Sequence, residues 1–306
     1  MNVLVTGATG FIGPNVARAL VQRGHQVRCL VRRSSDLRAL QFLPVEVWLG
    51  DILDPASLPA AVEDQQAVVH LVGILKERPP ELTYQRVHVE GTRNLVEASK
   101  AGGVQRFLYL SGNGAAEGAR YPYLHTKWLA EELVKASGLD WTILRPSIVT
   151  GPGDGFFNQL ADIVRHPPSG GRTMAPIVPV IGSGNCRYSP IHVEDLARCV
   201  AQAAVDPAFA GRTVVLGGPQ QFTYRDLLRM TMEAIHINRP TIGLPVWFMR
   251  LVVPTMPLLY KDPPLTPALL EMATLDNVAP ADSVETAFGF KPRAIEQHLG
   301  YLTANP

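Results

Sequence analysis

Apolar runs rich in β-branched and aromatic residues alternate with helically spaced hydrophobic segments over the first half of the chain. They predict strands at 2–6, 26–31, 45–49, 67–72, 106–111 and 141–146, with helices between most of them. Several runs, such as Val-Val-His-Leu-Val and Phe-Leu-Tyr-Leu, are nearly continuous, which is typical of strands covered on both faces. The pattern predicts a doubly wound parallel α/β sheet, whose ligands bind at the carboxyl ends of the strands.

After about residue 150 the pattern weakens and Pro and Gly become frequent. Only short elements are predicted there, including a helix near 194–204 and a strand near 213–216. We therefore expect a first domain over 1–150 and a smaller C-terminal lobe over 151–306, partly interleaved with the first. The sequence has no run of 18 uninterrupted apolar residues, so we expect no transmembrane helix.

Charge and cysteine content narrow the function classes. The net charge of the 306 residues is +1 and no basic run occurs, so a nucleic-acid partner is not expected. Cys29, Cys186 and Cys199 lack metal-ligand spacing, and their odd number argues against a disulfide framework. The first predicted strand follows Met1 almost directly. We therefore expect neither a metal site nor a targeting segment, and a cytoplasmic location.

A glycine-rich turn joins the first strand to an amphipathic helix, in the sequence Thr6-Gly7-Ala8-Thr9-Gly10-Phe11-Ile12-Gly13. An isolated glycine triplet often only makes a tight corner, but the strand before it and the helix after it favour a dinucleotide-binding turn. The first glycine allows the turn, the second lets the backbone approach a pyrophosphate, and the third allows close helix packing. We expect the phosphates at the helix N-terminus, contacted by Gly7, Thr9, Gly10, Phe11 and Ile12.

The end of the second predicted strand bears on the choice of dinucleotide. NAD-binding folds usually place an acidic residue there for the ribose hydroxyls, whereas this chain has Arg32 and Arg33. Two guanidinium groups suit a 2′-phosphate, so NADP(H) is preferred and NAD(H) stays open. The alternative is that the arginine pair is solvated surface. Asp36, the nearest carboxylate, lies too far along the chain for the usual ribose contact.

Two further strand ends provide candidate contacts to the dinucleotide. Asp51 and Ile52 follow the third strand, where the Asp51 carboxylate could bind the adenine edge; a helix N-cap role for Asp51 or Asp54 is equally compatible. The fourth predicted strand closes on Leu71, Val72 and Gly73, where a small residue lets the backbone pass close to the cofactor.

The candidate catalytic residues are Tyr123 and Lys127, which begin a predicted helix as Tyr-Leu-His-Thr-Lys. A spacing of four places both side chains on one helical face. A nearby ammonium lowers the pKa of a phenol, so we expect Lys127 to activate Tyr123 and to bind the nicotinamide ribose. This motif is weak alone, but it becomes specific about 110 residues after a dinucleotide-binding turn.

At this point the chain resembles the extended and atypical short-chain dehydrogenase/reductase superfamily, which includes NAD-dependent epimerases and dehydratases. Within this superfamily, the chain is most similar to the branch that contains the 39-kDa accessory subunit of respiratory complex I and its bacterial relatives. The C-terminal stretch from Leu244-Pro245 to 263–267 carries this similarity. The superfamily resemblance covers nearly the whole length, through the glycine turn, Gly91 to Val96, Tyr123 to Lys127, Leu144 to Ser147, Gly151 to Asp154, Ile191 to Ala197 and Gly217 to Pro219.

The resemblance implies a Rossmann domain with strand order 3-2-1-4-5-6-7 and a Ser/Thr-Tyr-Lys triad in active members. It also implies that Pro146 and Ile148 line the nicotinamide face through backbone contacts. Two departures bear on catalysis. Gly112 stands where the Ser or Thr is expected. Ser111, one residue early and on the opposite face of the strand, is kept as the third candidate catalytic residue. His88 stands where many members have a helix-bending Asn, and it either substitutes or is structural.

The most apolar stretch of the C-terminal half covers 246–254 and 256–261. It either packs as core or forms a surface for a hydrophobic ligand such as a quinone, a membrane, or a respiratory-complex partner.

Two functions remain. One is an NADP(H)-dependent reductase, dehydrogenase or epimerase that uses Tyr123 and Lys127 on a small or hydrophobic, quinone-like substrate. The other is a cofactor-stabilised structural or assembly protein linked to respiratory complex I or quinone biosynthesis. We expect the protein to be a monomer or a homodimer. We expect it in the cytoplasm, and a peripheral position at a membrane stays open.

Overall fold

The computed structural model describes residues 1–167, 176–258, 270 and 274–303. Its strands, in chain order, are β1 Asn2–Thr6, β2 Gln26–Val31, β3 Glu46–Leu49, β4 Ala67–His70, β5 Arg106–Leu110, β6 Asp140–Pro146, β7 Val149–Thr150, β8 Val178–Ile181, β9 Arg187–Tyr188, β10 Ile191–His192, β11 Arg212–Leu216, β12 Phe222–Thr223 and β13 Thr241–Leu244.

The helices are α1 Gly13–Gln22, α2 Pro59–Val62, α3 Gly91–Ala101, α4 Pro122–Lys135, α5 Phe156–Arg165, α6 Val193–Ala203, α7 Tyr224–Ala234, α8 Val246–Val252 and α9 Ser283–Phe288. A π-helical segment, Gln85–Glu90, leads directly into α3. Short 3₁₀ turns cover Pro55–Ser57, Pro207–Phe209, Val253–Leu258, Ile295–Gln297 and Gly300–Thr303.

Seven parallel strands form the main sheet, in the order β3-β2-β1-β4-β5-β6-β11. This order confirms the predicted Rossmann topology, with β11 as the seventh strand. Strands β4 and β5 are buried along their whole length, which explains their continuous apolar sequence. The carboxyl ends of β1, β2, β4 and β5 meet at one edge of the sheet, where ligands of such folds bind.

The chain divides into two compact units. The first comprises Met1–Pro146, Val193–Leu216 and Ser283–Phe290, and its core is built around fully buried residues such as Leu4, Phe107 and Ile143. It contains the main sheet and every residue of the candidate catalytic site.

The second unit comprises Ser147–His192, Gly217–Asp282 and Lys291–Pro306. Its core packs α5 and α7 around Phe157, Leu160 and Leu227, together with β8. Three two-stranded sheets, β10-β7, β12-β9 and β13-β8, lie within this unit.

The apolar C-terminal stretch is divided between core and surface. On α8 and just after it, Met249 and Val253 are buried, whereas Trp247 and Leu251 are 65% and 67% exposed. The rest of this stretch, 259–261, and the family-like segment 263–267 lie outside the described residues. No helix in the described part of the chain is long and apolar enough to cross a bilayer.

Candidate dinucleotide-binding and catalytic site

Close backbone packing accounts for the glycines of the first turn. Gly7 has a φ of +75°, and a Cβ there would lie 3.1 Å from the amide nitrogen of Val72. A Cβ at Gly13 would lie 2.3 Å from the Gly7 carbonyl oxygen, where no side chain can fit. By contrast, a Cβ at Gly10 would meet only that same carbonyl, at 3.4 Å.

This geometry fits the pyrophosphate of a dinucleotide. The turn is fixed at Gly7 and Gly13, it stays open at the exposed Gly10, and it leads into the ten-residue helix α1. Pro14 lies in the first helical turn, where its missing N–H removes no helical bond. The intervening Thr9, Phe11 and Ile12 are partly exposed, so the residues that lead into the helix N-terminus are accessible to a phosphate.

Two unpaired cations lie at the end of β2. Arg32 and Arg33 are exposed, and within the described residues neither guanidinium forms a hydrogen bond or an ion pair. The nearby Asp36 is already occupied, because it accepts bonds from Arg38 Nε at 2.8 Å and from the Arg38 amide at 3.0 Å. These bonds lower the pKa of Asp36 to about 2. The free charge at this strand end is therefore positive.

The residues after β3 have local structural roles. Asp51 accepts a hydrogen bond from the Leu53 amide at 2.9 Å, and Asp54 caps the next turn by accepting from the Ala56 amide at 3.2 Å. Ile52 is buried against Gly91, where a Cβ would lie 2.5 Å from the Ile52 Cδ1. Asp54 therefore has the N-cap role that the sequence allowed for either aspartate. Asp51 is partly exposed, and its carboxylate can accept further hydrogen bonds.

Lys127 is buried beside the loop that follows β4. Its Nζ donates to the Leu110 carbonyl at 2.9 Å and lies 4.7 Å from the centroid of the Tyr109 ring. A Cβ at Gly73 would come within 3.2 Å of this Nζ, so glycine at 73 makes room for the ammonium. Burial lowers the pKa of Lys127 to about 7.

The Tyr123 hydroxyl faces Gly112. A Cβ built on Gly112 would lie 3.4 Å from this hydroxyl oxygen, so Gly112 is the residue of the strand end that meets the phenol. Ser111 lies one residue earlier, and its buried Oγ has no hydrogen-bond partner among the described residues. In the described part of the chain, no hydrogen bond therefore links Ser111 to Tyr123.

The expected activation of Tyr123 is not what the structure shows. Burial and the neighbouring Tyr84 raise the pKa of Tyr123 to about 12, whereas the four-residue spacing predicts that Lys127 lowers it. The reason is desolvation of the buried phenol, which disfavours the phenolate. At neutral pH Tyr123 is a protonated phenol.

His88 is a buried residue of the π-helical segment, and it contacts the Tyr123 ring at a centroid distance of 5.4 Å. Sequence reasoning missed its partners Tyr84 and Thr126, and it also missed His70. Two features of the sequence could have indicated them: His70 is a polar residue within the apolar run of β4, and Thr126 lies between Tyr123 and Lys127. Pro146 is buried at the end of β6, and Ile148 packs on the core of the second unit.

The fold and this site define a nicotinamide-dinucleotide-binding protein of the Rossmann class. A family model described as NAD(P)H-binding matches residues 7–165, more than half of the chain. The chain belongs to this family and to the extended short-chain dehydrogenase/reductase superfamily, which confirms the resemblance in the sequence. Within the described residues no group of side chains is arranged to hold a metal ion.

Three curated relatives are reductases or sterol-modifying proteins by name. The chain is 31% identical to sterol demethylase protein B of Methylococcus capsulatus, over 86% of this chain and 82% of that protein. It is 29% identical to 2-alkyl-3-oxoalkanoate reductase of Stenotrophomonas maltophilia, over 100% and 99%. It is 36% identical to ceramide reductase of Caulobacter vibrioides, over 64% of this chain but only 58% of that protein.

Other relatives are components or assembly factors of large complexes. Subunit 9 of the NADH dehydrogenase [ubiquinone] 1 alpha subcomplex of Mus musculus is 28% identical over 91% of this chain and 73% of that protein. This match confirms the resemblance to the complex I branch. Photosystem II assembly factor Ycf39 of Cyanophora paradoxa is 26% identical over 82% and 74%.

Solved structures agree with the fold. The crystal structure of gox2253 has a TM-score of 0.78 and 27% identity, and the match covers 99% of this chain and 96% of that one. UDP-glucose 4-epimerase of Thermus thermophilus in complex with NAD has a TM-score of 0.75 over 99% and 98%. At 22% identity, this second match shows the fold alone.

Proposed function

We propose that the protein is an NAD(P)H-dependent reductase that converts a carbonyl group of a hydrophobic substrate into a hydroxyl group. The observation that carries this proposal is the position of the Tyr123 hydroxyl, 3.4 Å from a Cβ built on Gly112, the residue that has no side chain; the raised pKa of Tyr123 is consistent with a phenol that holds its proton. A phenol that keeps its proton at neutral pH acts as a general acid. Reduction needs such an acid, because the carbonyl oxygen takes up a proton as the carbon takes up hydride.

The residues at the carboxyl edge of the sheet bind different parts of the dinucleotide in this proposal. A bound nicotinamide would supply the hydride. Gly7 and Gly10 accommodate the pyrophosphate, and Arg32 and Arg33 bind a 2′-phosphate, so NADPH is favoured over NADH. The remaining contacts in this proposal are the ones predicted from the sequence: Thr9, Phe11, Ile12, Asp51, Ile52, Leu71, Val72, Gly73, Lys127, Pro146 and Ile148. The proposal gives Ser111, the third catalytic candidate, no role, because its Oγ forms no hydrogen bond to the phenol among the described residues.

Lys127 contributes charge at the centre of the site. With a pKa of about 7 it is partly protonated at neutral pH. Its ammonium lies beside Gly73, in the loop after β4, and there it favours negative charge developing on a substrate oxygen.

The names of the relatives support the substrate class. Ceramide, 2-alkyl-3-oxoalkanoate and sterol are all named in the relatives of this chain, and all three compounds are largely hydrocarbon. We therefore propose a ketone that carries long alkyl or ring substituents. Gly112 adds space next to the phenol for such a group, because no side chain fills it.

The test is NADPH oxidation with a panel of long-chain 3-oxo esters, comparing wild type with Tyr123→Phe. We expect turnover in the wild type and a loss of about a hundredfold or more in Tyr123→Phe, the usual contribution of a general acid. Tyr224→Phe is the matched control, because Tyr224 is a tyrosine of α7 in the second unit whose pKa burial also raises to about 12. Equal turnover in Tyr123→Phe and Tyr224→Phe would contradict the proposal.

The second candidate is a cofactor-stabilised structural or assembly protein. It is favoured by Gly112, which replaces the hydroxyl of active family members, and by the relatives in complex I and photosystem II assembly. The exposed Trp247, Phe248 and Leu251 of α8 would then contact a membrane or a respiratory-complex partner. Tightly bound NADPH that no ketone or quinone oxidises would support this candidate over the reductase.

A further inference from the structure

Five buried threonine and histidine residues between the glycine turn and α4 are linked by hydrogen bonds, three of them between side chains and one to the backbone carbonyl of His88. These bonds join Thr6 Oγ1 to His70 Nδ1 at 2.6 Å, and His70 Nε2 to Thr92 Oγ1 at 3.1 Å. Thr92 then donates to the carbonyl oxygen of His88 at 2.5 Å. The last bond joins His88 Nδ1 to Thr126 Oγ1 at 2.9 Å.

The partners of His88 define where its proton lies. The Ile74 amide donates to Nε2 at 3.1 Å, so Nε2 is the acceptor and carries no proton. Nδ1 is then protonated and donates to Thr126 Oγ1. The Thr126 hydroxyl in turn donates to the Pro122 carbonyl at 2.8 Å, in the first turn of α4. We therefore assign His88 as a neutral Nδ1–H tautomer.

The surroundings of His88 also keep it neutral. Gly73 lies between two nitrogens: a Cβ there would be 3.2 Å from Lys127 Nζ and 3.6 Å from His88 Nε2. A protonated imidazole would therefore oppose the Lys127 ammonium. Burial, Lys127 and His70 together lower the pKa of His88 to about 2. His88 is therefore not a proton donor to substrate.

Three rings form a compact cluster at the start of α4. His88 stacks on Tyr84 at a centroid distance of 5.4 Å and an angle of 26°. It meets Tyr123 nearly perpendicularly, at 5.4 Å and 84°. Tyr84 also meets Tyr123 edge to face at 5.9 Å, so two neighbours limit the orientation of the Tyr123 ring.

We propose that His88 is a positioning residue for Tyr123, held neutral between the Ile74 amide and the Thr126 hydroxyl so that its ring fixes the direction of the phenol. It thereby ties the loop after β4 to the helix that carries Tyr123 and Lys127. The π-helical segment presents His88 at this point, a placement often seen at functional sites. The inference rests on the proposed role of Tyr123 as proton donor.

The first test is the tautomer of His88, read from the imidazole nitrogen shifts of ¹⁵N-labelled wild-type protein at pH 7.5. The His88 signals are assigned as those missing from His88→Asn. We expect a neutral ring with the proton on Nδ1. A proton on Nε2, or an imidazolium, would overturn the proposal, and this readout requires no folded variant beyond the one used for assignment.

The second test follows the ring signals of Tyr123 in ¹³C-tyrosine-labelled protein, assigned through Tyr123→Phe. Thr126→Val removes the acceptor of the His88 proton without changing either ring, and we expect it to shift or broaden the Tyr123 signals. Thr231→Val is the matched control: this buried helical threonine also bonds a carbonyl four residues earlier, at 2.8 Å. It should leave the Tyr123 signals unchanged.

Three substitutions at position 88 separate the contacts of His88. An asparagine at 88 can keep the donor to Thr126, and a glutamine can keep the acceptor for Ile74, whereas His88→Leu keeps neither. We expect the Tyr123 signals to be closer to wild type in His88→Asn than in His88→Leu. Unmoved Tyr123 signals in Thr126→Val and His88→Leu would overturn the proposal. Neither test needs turnover, so failure here is distinct from failure of the reductase.

Discussion

Gly112 and Tyr123 face each other, and a Cβ on Gly112 would lie 3.4 Å from the tyrosine hydroxyl oxygen. This is an ordinary van der Waals contact, so the missing side chain leaves a gap that a small residue could fill without strain. Active members of the superfamily carry a serine or threonine at the equivalent place. The dinucleotide-binding turn is complete, but the hydroxyl that usually accompanies the phenol is absent at this position.

The first prediction is that Gly112→Ser raises the rate of ketone reduction. The new hydroxyl would lie beside the phenol and donate a hydrogen bond to the developing oxyanion. We expect kcat to increase about tenfold or more for small ketones, measured by NADPH oxidation. Gly112→Ala, which adds only the Cβ, is the control; equal rates in the two variants would show that the hydroxyl has no catalytic use here.

The buried ammonium of Lys127 makes stability depend on pH. Its pKa is about 7 in the folded state against 10.5 for an ordinary lysine, so the unfolded chain binds more protons between these values. Stability therefore rises with pH across this window, by about 1.4 kcal/mol per pH unit. In urea unfolding, the free energy of unfolding of wild type should rise relative to that of Lys127→Met between pH 7 and pH 9. If the free energies of unfolding of the two proteins changed equally with pH, the lowered pKa of Lys127 would be contradicted.

His70 should have an effect at lower pH. Burial and Lys127 lower its pKa to about 3 from 6.5, so the unfolded state takes up a proton as the pH falls below 6.5. Stability is lost in that direction, by about 1.4 kcal/mol per pH unit for this residue. His70→Gln should lose less stability than wild type between pH 7.5 and 5, measured by urea unfolding. An identical loss in both proteins would show that His70 titrates normally.

The arginine pair should control the choice of dinucleotide. Replacing Arg32 and Arg33 by alanine removes two charge-assisted contacts to a 2′-phosphate, so we expect NADPH affinity to fall about tenfold or more. NADH affinity should stay unchanged, and fluorescence titration measures both. Arg38→Ala is an informative comparison, because it frees the Asp36 carboxylate and should weaken NADPH binding less. Equal losses for NADPH and NADH in the double variant would assign the pair to solvated surface.

Local patterns predicted the sheet and the glycine turn well. The strands at 2–6 and 26–31 match β1 and β2 at both ends, because a buried parallel strand leaves a continuous apolar run. The predicted strand at 67–72 ends earlier, at His70. Leu71 and Val72 lie beside the glycine turn instead, because a Cβ on Gly7 would be 3.1 Å from the Val72 amide nitrogen.

The polar interior of the site could not be read from the sequence. His70 meets Thr6 across 64 positions, and His88 meets Thr126 across 38, so no local window contains either pair. The sign of the Tyr123 pKa shift also depends on burial, which the Tyr-x-x-x-Lys spacing does not report. The motif located the helix that carries Tyr123 and Lys127, whereas the direction of the Tyr123 pKa shift depends on tertiary burial.

The most direct test of the central claim is transfer of deuterium from the nicotinamide C4 of labelled NADPH to the carbonyl carbon of a long-chain 3-oxo ester, followed by mass spectrometry. The reductase account predicts one deuterium on the carbinol carbon of the product with wild type, and about a hundredfold less product with Tyr123→Phe. Wild-type protein that binds labelled NADPH fully yet leaves all the deuterium on it, across the ester panel, would contradict the account.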